Sequence, residues 1–148
     1  MRASNCELTE RLARGGQRTS ECQEGRSDVS SDLLKRTKQF GLDALRLCAS
    51  LPRSQEYQVI GRQLMRSATS VGANYRAARR ARSRAEFVSK LAIVEEEADE
   101  SLFWIELLEE LKPGKDPEVQ RLKNEANQLV AIVVTSKKAA RGSYGLAK

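Results

Sequence analysis

The residues best suited to binding a ligand are five arginines at the end of one helical segment. They are Arg76, Arg79, Arg80, Arg82 and Arg84, and Glu86 is the only acid close to them in sequence. Two explanations need no ligand: pairing with acids of a neighbouring helix, or the attraction of cations to the negative end of a helix dipole. An unneutralised Arg cluster also suits a phosphate backbone, and Tyr75 beside it would stack on a base if exposed. We therefore predict that these five arginines bind nucleic acid.

Charge is segregated along the chain, although its net charge is only +6. Residues 57–85 contain seven arginines and no acid, whereas residues 86–111 contain nine acids and one lysine. If these segments form neighbouring antiparallel helices, opposite charges face each other. Solvated pairing across the bundle therefore remains an alternative interpretation of most of these charges.

The acidic run formed by Glu95, Glu96, Glu97, Asp99 and Glu100 is a second place where chemistry could occur. Helical di-iron sites take histidine together with carboxylates, and this chain contains no histidine. The same absence removes the commonest general base and every Ser-His or Cys-His dyad. No phosphate-binding glycine loop or nucleophile elbow is present either. A solvated face with inter-helix salt bridges is the better interpretation, so we predict no enzyme, no metal and no cofactor.

Helical periodicity supplies the elements that position these residues. It predicts four segments, at residues 31–50, 54–81, 83–111 and 117–138. Proline at position 52 ends the first segment, and a capping box from Ser83 to Glu86 separates the second from the third. A single helix over 54–111 remains the alternative to that break. Gly114, Asp116 and Pro117 provide a turn, an N-cap and a helix start before the last segment.

Short connections between four helices predict an all-α, antiparallel up-and-down four-helix bundle. We expect this bundle over residues 31–140, after a disordered polar tail at 1–30 and before a short C-terminal tail at 141–148. The three cysteines lack metal-site spacing, and the longest strongly apolar run, 129–134, is far below the ~20 residues of a membrane span. No signal-peptide pattern opens the chain, so we expect a soluble cytoplasmic protein without membrane partners.

The second half of the third segment is apolar over too wide an arc for a helix that packs on one side only. Projected at 100° per residue, the apolar side chains of 101–111 cover about 200°, against ~100° for a single packed face. Exposed Phe103, Trp104 and Leu107 would form a patch typical of protein interfaces. We predict that this patch is an oligomer interface, unless neighbouring helices wrap this end more completely.

Residues 63–75 (QLMRSATSVGANY) resemble the bacterial four-helix-bundle family named for 23S rRNA intervening-sequence proteins. The likeness continues through residues 82–87 (RSRAEF), Leu91 and Glu100, and in outline covers 33–138. One departure is that Arg76-Ala77-Ala78 stands where many members have Ala-Glu-Gly. It should lengthen the second helix and make its end more basic.

The resemblance implies a homopentameric ring without known catalysis, in a family whose function is mostly unknown. Some members are encoded within inserts of ribosomal RNA genes, and others are accessory proteins of diversity-generating retroelements that meet nucleic acid and a reverse transcriptase. Matched by position, Arg66 and Glu100 correspond to charged residues on facing helices, which implies a structural, partly buried ion pair.

Two functions follow as the main hypotheses, and a carboxylate-metal enzyme is a third class that elemental analysis for bound metal would test. The first is a non-enzymatic homo-oligomeric bundle that binds RNA or DNA through its Arg-rich helix end. The second is an oligomeric scaffold whose partner is another protein, such as a reverse transcriptase, with the arginines serving solubility or docking to an acidic surface. Binding that falls steeply with salt favours the first, and nuclease-resistant capture of one protein favours the second.

Overall fold

The computed structural model describes residues 21–112 and 114–142, with side chains from residue 32 onward. The regular elements within those ranges are four helices: α1 (Glu21–Ala49), α2 (Gln55–Ala78), α3 (Arg84–Leu111) and α4 (Pro117–Gly142). The chain divides after Leu33 into two units. The described part of the first is the beginning of α1, and all contacts discussed below lie in the second. The all-α four-helix bundle is confirmed.

Each helix of the second unit runs antiparallel to its neighbours. Between α1 and α2, Gly41 packs on Ala68 and Cys48 lies against Gly61, so the residue numbers run in opposite directions. Between α2 and α3, Ser67 contacts Ser101 and Tyr57 contacts Leu111. Lys123 and Lys137 of α4 contact acids of α3, and Arg36 of α1 contacts Glu125 of α4. The helices therefore form a closed up-and-down bundle in which α2 lies between α1 and α3.

The core lies on the apolar stripes of the four helices. Its largest completely buried side chains include Phe40, Leu64, Leu91, Ile105, Leu108, Leu122 and Leu129. They recur at three- and four-residue steps, which is the spacing that keeps side chains on one helix face. Thr37, Ser67 and Ser101 are buried polar exceptions, and each hydroxyl is hydrogen-bonded. The core thus explains most of the periodicity in the sequence.

The predicted break between the second and third helices is confirmed. Ser83 has extended backbone and its side chain accepts a hydrogen bond of 3.1 Å from the backbone N–H of Glu86. The Glu86 carboxylate in turn accepts a 2.8 Å bond from the backbone N–H of Arg82. These bonds satisfy free N–H groups at the start of α3 and explain why the chain turns here.

The first helix starts earlier than its periodicity predicts. It begins at Glu21 instead of near residue 31, so residues 21–30 of the predicted polar tail are helical. The sequence of 21–30 contains no proline, which allows a helix to propagate through it, but it lacks the apolar stripe that would reveal one. The helix α4 likewise extends to Gly142. The remaining predicted tails, 1–20 and 143–148, lie outside the described residues.

Candidate nucleic-acid interface

The five predicted arginines lie together at one end of the bundle. They occupy the last turn of α2, the connection after it and the first residue of α3. All five side chains are exposed: Arg76, Arg79, Arg80, Arg82 and Arg84. We call them the Arg cluster. Their positions follow from a helix that ends at Ala78 and a capped helix that starts six residues later.

Some acids of α3 pair with lysines of α4 and not with the Arg cluster. Lys123 lies 2.7 Å from Glu109, and Lys137 pairs with Glu95. Among the described residues, a single ion pair joins α2 to α3, between Arg66 and Glu100. In the described part of the chain, the α3 acids that form ion pairs therefore do so mainly with α4.

The Arg cluster itself is consequently left with little neutralisation. Within the described residues, the side chains of Arg79, Arg80 and Arg82 have no ion-pair partner. Glu86, the nearest acid in sequence, is bonded to the backbone N–H of Arg82 and not to a guanidinium. Arg84 donates its Nε–H to the carbonyl of Ala140, which satisfies an acceptor in the last turn of α4 but leaves its charge uncompensated. The cluster is therefore a source of positive potential at this end of the bundle.

Four further cations were not predicted from the sequence: two of α4 lie at the same end, and two of α1 lie further along the bundle. Lys35 and Lys38 of α1 line a groove together with Arg76, and Arg141 of α4 lines a depression together with Arg84. Lys138 lies one turn before Arg141 and is exposed. The signal that could have revealed them is topology, because an up-and-down bundle places α1 beside α2 and brings the last part of α4 to the end where α2 meets α3.

The aromatic residue beside the cluster is not available to a ligand. Tyr75 was expected to stack on a base if exposed, but its side chain is only 5% exposed and belongs to the core. The condition for stacking is not met, because Tyr75 continues the buried stripe that contains Leu64 and Val71. The cluster therefore offers charges for phosphates and not rings for bases.

Phe103, Trp104 and Leu107 lie on the outer side of α3. Phe103 is 51% exposed, and Trp104 and Leu107 are partly exposed. The rings of Phe103 and Trp104 meet edge to face with their centroids 5.0 Å apart. Leu111 on the same helix and Val59 on α2 are also exposed, at 45% and 42%. We call these five residues the α3 patch.

The structure brings Arg66 and Glu100 together. The Arg66 Nη2 atom lies 3.1 Å from Oε1 of Glu100, and the indole N–H of Trp104 donates to the same oxygen at 3.1 Å. These hydrogen bonds, led by that from Trp104, lower the pKa of Glu100. The side chains are 66% and 33% exposed, so water screens the pair more than its expected partial burial implied.

The acidic run on α3 gives no sign of a metal centre. Among the described residues, no group of three or more histidine, cysteine or acidic side chains could hold a metal ion. Burial, with repulsion from Glu100 and Glu96, raises the pKa of Glu97 against the attraction of Arg66.

No described helix is long and apolar enough to cross a bilayer.

The fold and surface define an all-α four-helix bundle with a basic end and an exposed apolar patch. The chain belongs to the 23S rRNA-intervening sequence protein family, whose model matches residues 30–135. It is also similar to a crystal structure of a protein of unknown function from the S23 ribosomal protein family of Bacteroides thetaiotaomicron. That likeness has 30% identity and a TM-score of 0.66, and covers 72% of this chain and 98% of the other. No curated protein matches the chain significantly. Neither the family nor the similar crystal structure indicates an enzyme.

Proposed function

We propose that this protein is a non-enzymatic, homopentameric helical bundle of the bacterial cytoplasm that binds RNA or DNA through the Arg cluster. The observation that supports the proposal is the unpaired state of Arg79, Arg80 and Arg82 within the described residues, at the end where cations of α4 also lie. A role in ion pairing between helices would place acids beside these guanidinium groups. The family's description, which refers to 23S rRNA, favours RNA as the first ligand to test.

Binding through this surface is electrostatic. The basic end presents guanidinium and ammonium groups to phosphates, and Tyr75 is buried where stacking would require an exposed ring. The affinity should therefore fall steeply with salt and depend little on base sequence. An oligomer that repeats the cluster on each copy raises the overall affinity, so a modest site per chain is sufficient.

Fluorescence anisotropy with a labelled RNA duplex tests this function. The wild type should bind at ~50 mM salt, and the logarithm of its binding constant should fall linearly with the logarithm of the salt concentration. The double variant Arg79→Gln/Arg80→Gln removes two unpaired cations and should reduce the salt slope by about 2. No binding by the assembled wild type at ~50 mM salt would contradict the proposal.

The matched control is Arg53→Gln/Arg62→Gln. It removes the same charge from exposed arginines that have no ion-pair partner in the described part of the chain and lie away from the Arg cluster. We expect its salt slope to stay close to that of the wild type. Equal losses in both variants would show that net charge, and not the cluster, attracts the ligand. Capture of one protein that resists nuclease would favour the scaffold function instead.

A further inference from the structure

A second apolar surface lies on the side of the bundle next to the one that carries the α3 patch. It is a groove of about 590 Å³ between α1 and α2, with Leu42 and Leu45 exposed by 38% and 39% along it. Gly41 and Gly72 form part of its lining, where α1 and α2 approach closely. We call it the α1–α2 groove. Its rim carries Lys35, Lys38 and Arg76.

The α3 patch has the complementary character. Its exposed ring, Phe103, is flanked on the same side of α3 by Glu96, one heptad earlier, and Asp99, one turn earlier. Both acids are exposed and have no ion-pair partner in the described part of the chain. Lys35 and Lys38 on the groove rim also have no ion-pair partner in the described part of the chain. An apolar centre with unpaired acids thus has its counterpart in an apolar groove with unpaired lysines.

The two surfaces also lie at matching heights along the bundle. Gly41 packs on Ala68, and the adjacent Ser67 bonds to Ser101, so Leu42 is level with residue 101 of α3. One turn further towards the end of α1, Leu45 is level with Phe103 and Trp104. One turn in the other direction, Lys38 is level with residue 97, between Glu96 and Asp99. Two copies related by a rotation about an axis parallel to the bundle, with no shift along that axis, would therefore place the patch of one copy at the same height as the groove of the other.

We propose that the α3 patch of one copy docks into the α1–α2 groove of the next copy, with Phe103 against Leu42 and Leu45 and with Glu96 and Asp99 against Lys35 and Lys38. This pairing joins two different surfaces, so it is a head-to-tail interface. It rests on the self-association included in the proposed function and specifies the surfaces that meet.

The angle between the two surfaces favours a closed ring over a filament. Both surfaces border α2, because the patch faces outward along the α2–α3 side and the groove lies on the α1–α2 side. Adjacent sides of a four-helix bundle are about 90° apart, and a head-to-tail contact between such sides closes after about four or five copies. Surfaces on opposite sides of the bundle would instead build an open fibre.

Complementary loss-of-surface variants test the pairing by light scattering. Phe103→Glu removes the patch and keeps the groove, whereas Leu45→Glu removes the groove and keeps the patch. Each variant alone should be monomeric at 16.5 kDa, with wild-type helicity by circular dichroism because both side chains are already exposed. An equimolar mixture should form a dimer of twice that mass and grow no further, because only one intact patch and one intact groove can meet.

Charge reversal gives a second test that leaves the apolar residues unchanged. Lys38→Glu and Glu96→Lys should each weaken assembly at least tenfold, and the double variant should recover most of that loss. Lys138→Glu is the matched control, since it makes the same charge change on α4, away from both surfaces, and should assemble like the wild type.

The outcomes separate this inference from the proposed function. A monomeric wild type would overturn both the pairing and self-association. A Leu45→Glu variant that still assembles, or two monomeric variants that do not combine, would overturn the pairing alone. RNA binding by the Arg cluster is a separate measurement, and its failure would leave this interface standing.

Discussion

Arg66 and Glu100 show how solvent limits the value of an ion pair that joins two helices. The contact is 3.1 Å long, but the Arg66 side chain is 66% exposed. We therefore expect Arg66→Ala to lower the free energy of unfolding by under ~1 kcal/mol, as for other solvent-screened pairs. Urea denaturation followed by circular dichroism measures this change.

Leu64→Ala provides the comparison for that measurement. Leu64 lies on the same helix and is completely buried, so its truncation should cost about 2–5 kcal/mol through lost burial and a cavity. A loss of similar size for Arg66→Ala would contradict the screening argument. It would mean that Glu100 is left as a buried, unpaired charge when its partner is removed.

Cys48 is a half-buried thiol whose environment suppresses its reactivity. Burial raises its pKa to about 11, and its Sγ atom lies 3.5 Å from the carbonyl oxygen of Gly61. Compared with a thiol of ordinary pKa near 9, the thiolate fraction near neutral pH falls about a hundredfold. In a Cys6→Ser/Cys22→Ser background, Cys48 should react with a disulfide reagent about a hundred times more slowly than after denaturation. Equal rates in native and denatured protein would contradict this.

At the scale of the helices, Gly72 lets α1 and α2 approach closely. A methyl group at Gly72 would lie 3.1 Å from the carbonyl oxygen of Thr37, which belongs to the α1 backbone and cannot move aside easily. Gly72→Ala should therefore destabilise the bundle by about 1–2 kcal/mol, although alanine favours helix by about 1 kcal/mol. Thermal unfolding monitored by circular dichroism checks the sign.

Gly61→Ala is the matched control, since it is the same substitution in the same helix. Its nearest new contacts, with Leu51 and Cys48, are 3.5 and 3.8 Å and involve side chains. The helix preference of alanine should then dominate, and the midpoint of thermal unfolding should stay unchanged or rise. If Gly72→Ala also stabilised the protein, α1 would not be held at this distance by the glycine.

Asp43 connects α1 to α4 through a pH-dependent contact. Burial raises its pKa, but hydrogen bonds from Arg121 and Gln39 and the charges of Arg121 and Arg46 outweigh that effect and lower it. The Asp43 Oδ2 atom lies 2.9 Å from Arg121. Because the folded pKa is lowered, the stabilisation is present above the unfolded pKa of about 3.9 and is lost as pH falls through the lower folded value.

The variant Asp43→Asn isolates this contribution. At pH 7 it should be less stable than the wild type by about 1 kcal/mol, and the difference should shrink towards zero below pH ~3. Urea midpoints measured across this range test the sign. A difference that grew as pH fell would mean that Asp43 has a raised pKa in the folded protein.

The helices themselves could be predicted from the sequence because their ends carry local signals. Ser83 with Glu86, and Pro117, mark boundaries through interactions within one turn, and the structure has breaks at both places. The start of α1 could not be predicted in this way, because residues 21–30 lack an apolar stripe. Local patterns reveal a helix mainly through the face that it buries.

The surroundings of the Arg cluster required the register between helices. The sequence identified the arginines, but nothing near them in the chain reveals that Lys123 and Lys137 engage the acids of α3. The burial of Tyr75 depended on the helical angle that places it among core residues. Such facts follow from contacts between residues far apart in sequence, which a pattern of single helices does not contain.

At the scale of the whole molecule, the net charge of +6 conceals two different surfaces. One is the basic end formed by the Arg cluster with cations of α4. The other is the outer side of α3, where acids surround an exposed aromatic residue. The first suits a polyanion and the second suits another copy. A ring in which the α3 patch docks into the α1–α2 groove of the next copy would also gather the basic ends, so assembly and nucleic-acid binding should be coupled.

The variant Phe103→Ser tests that coupling, since it weakens the α3 patch without changing any charge. Each copy keeps its Arg cluster, but a dissociated chain engages the ligand once instead of several times, so its affinity for a long RNA duplex should fall by at least tenfold. For a duplex too short to reach two clusters the difference should nearly vanish, because the gain from repetition needs simultaneous contact. Anisotropy titrations at one fixed salt concentration measure both ligands. If the monomeric variant bound the long duplex as tightly as the wild type, each cluster would act alone and assembly would serve some other purpose.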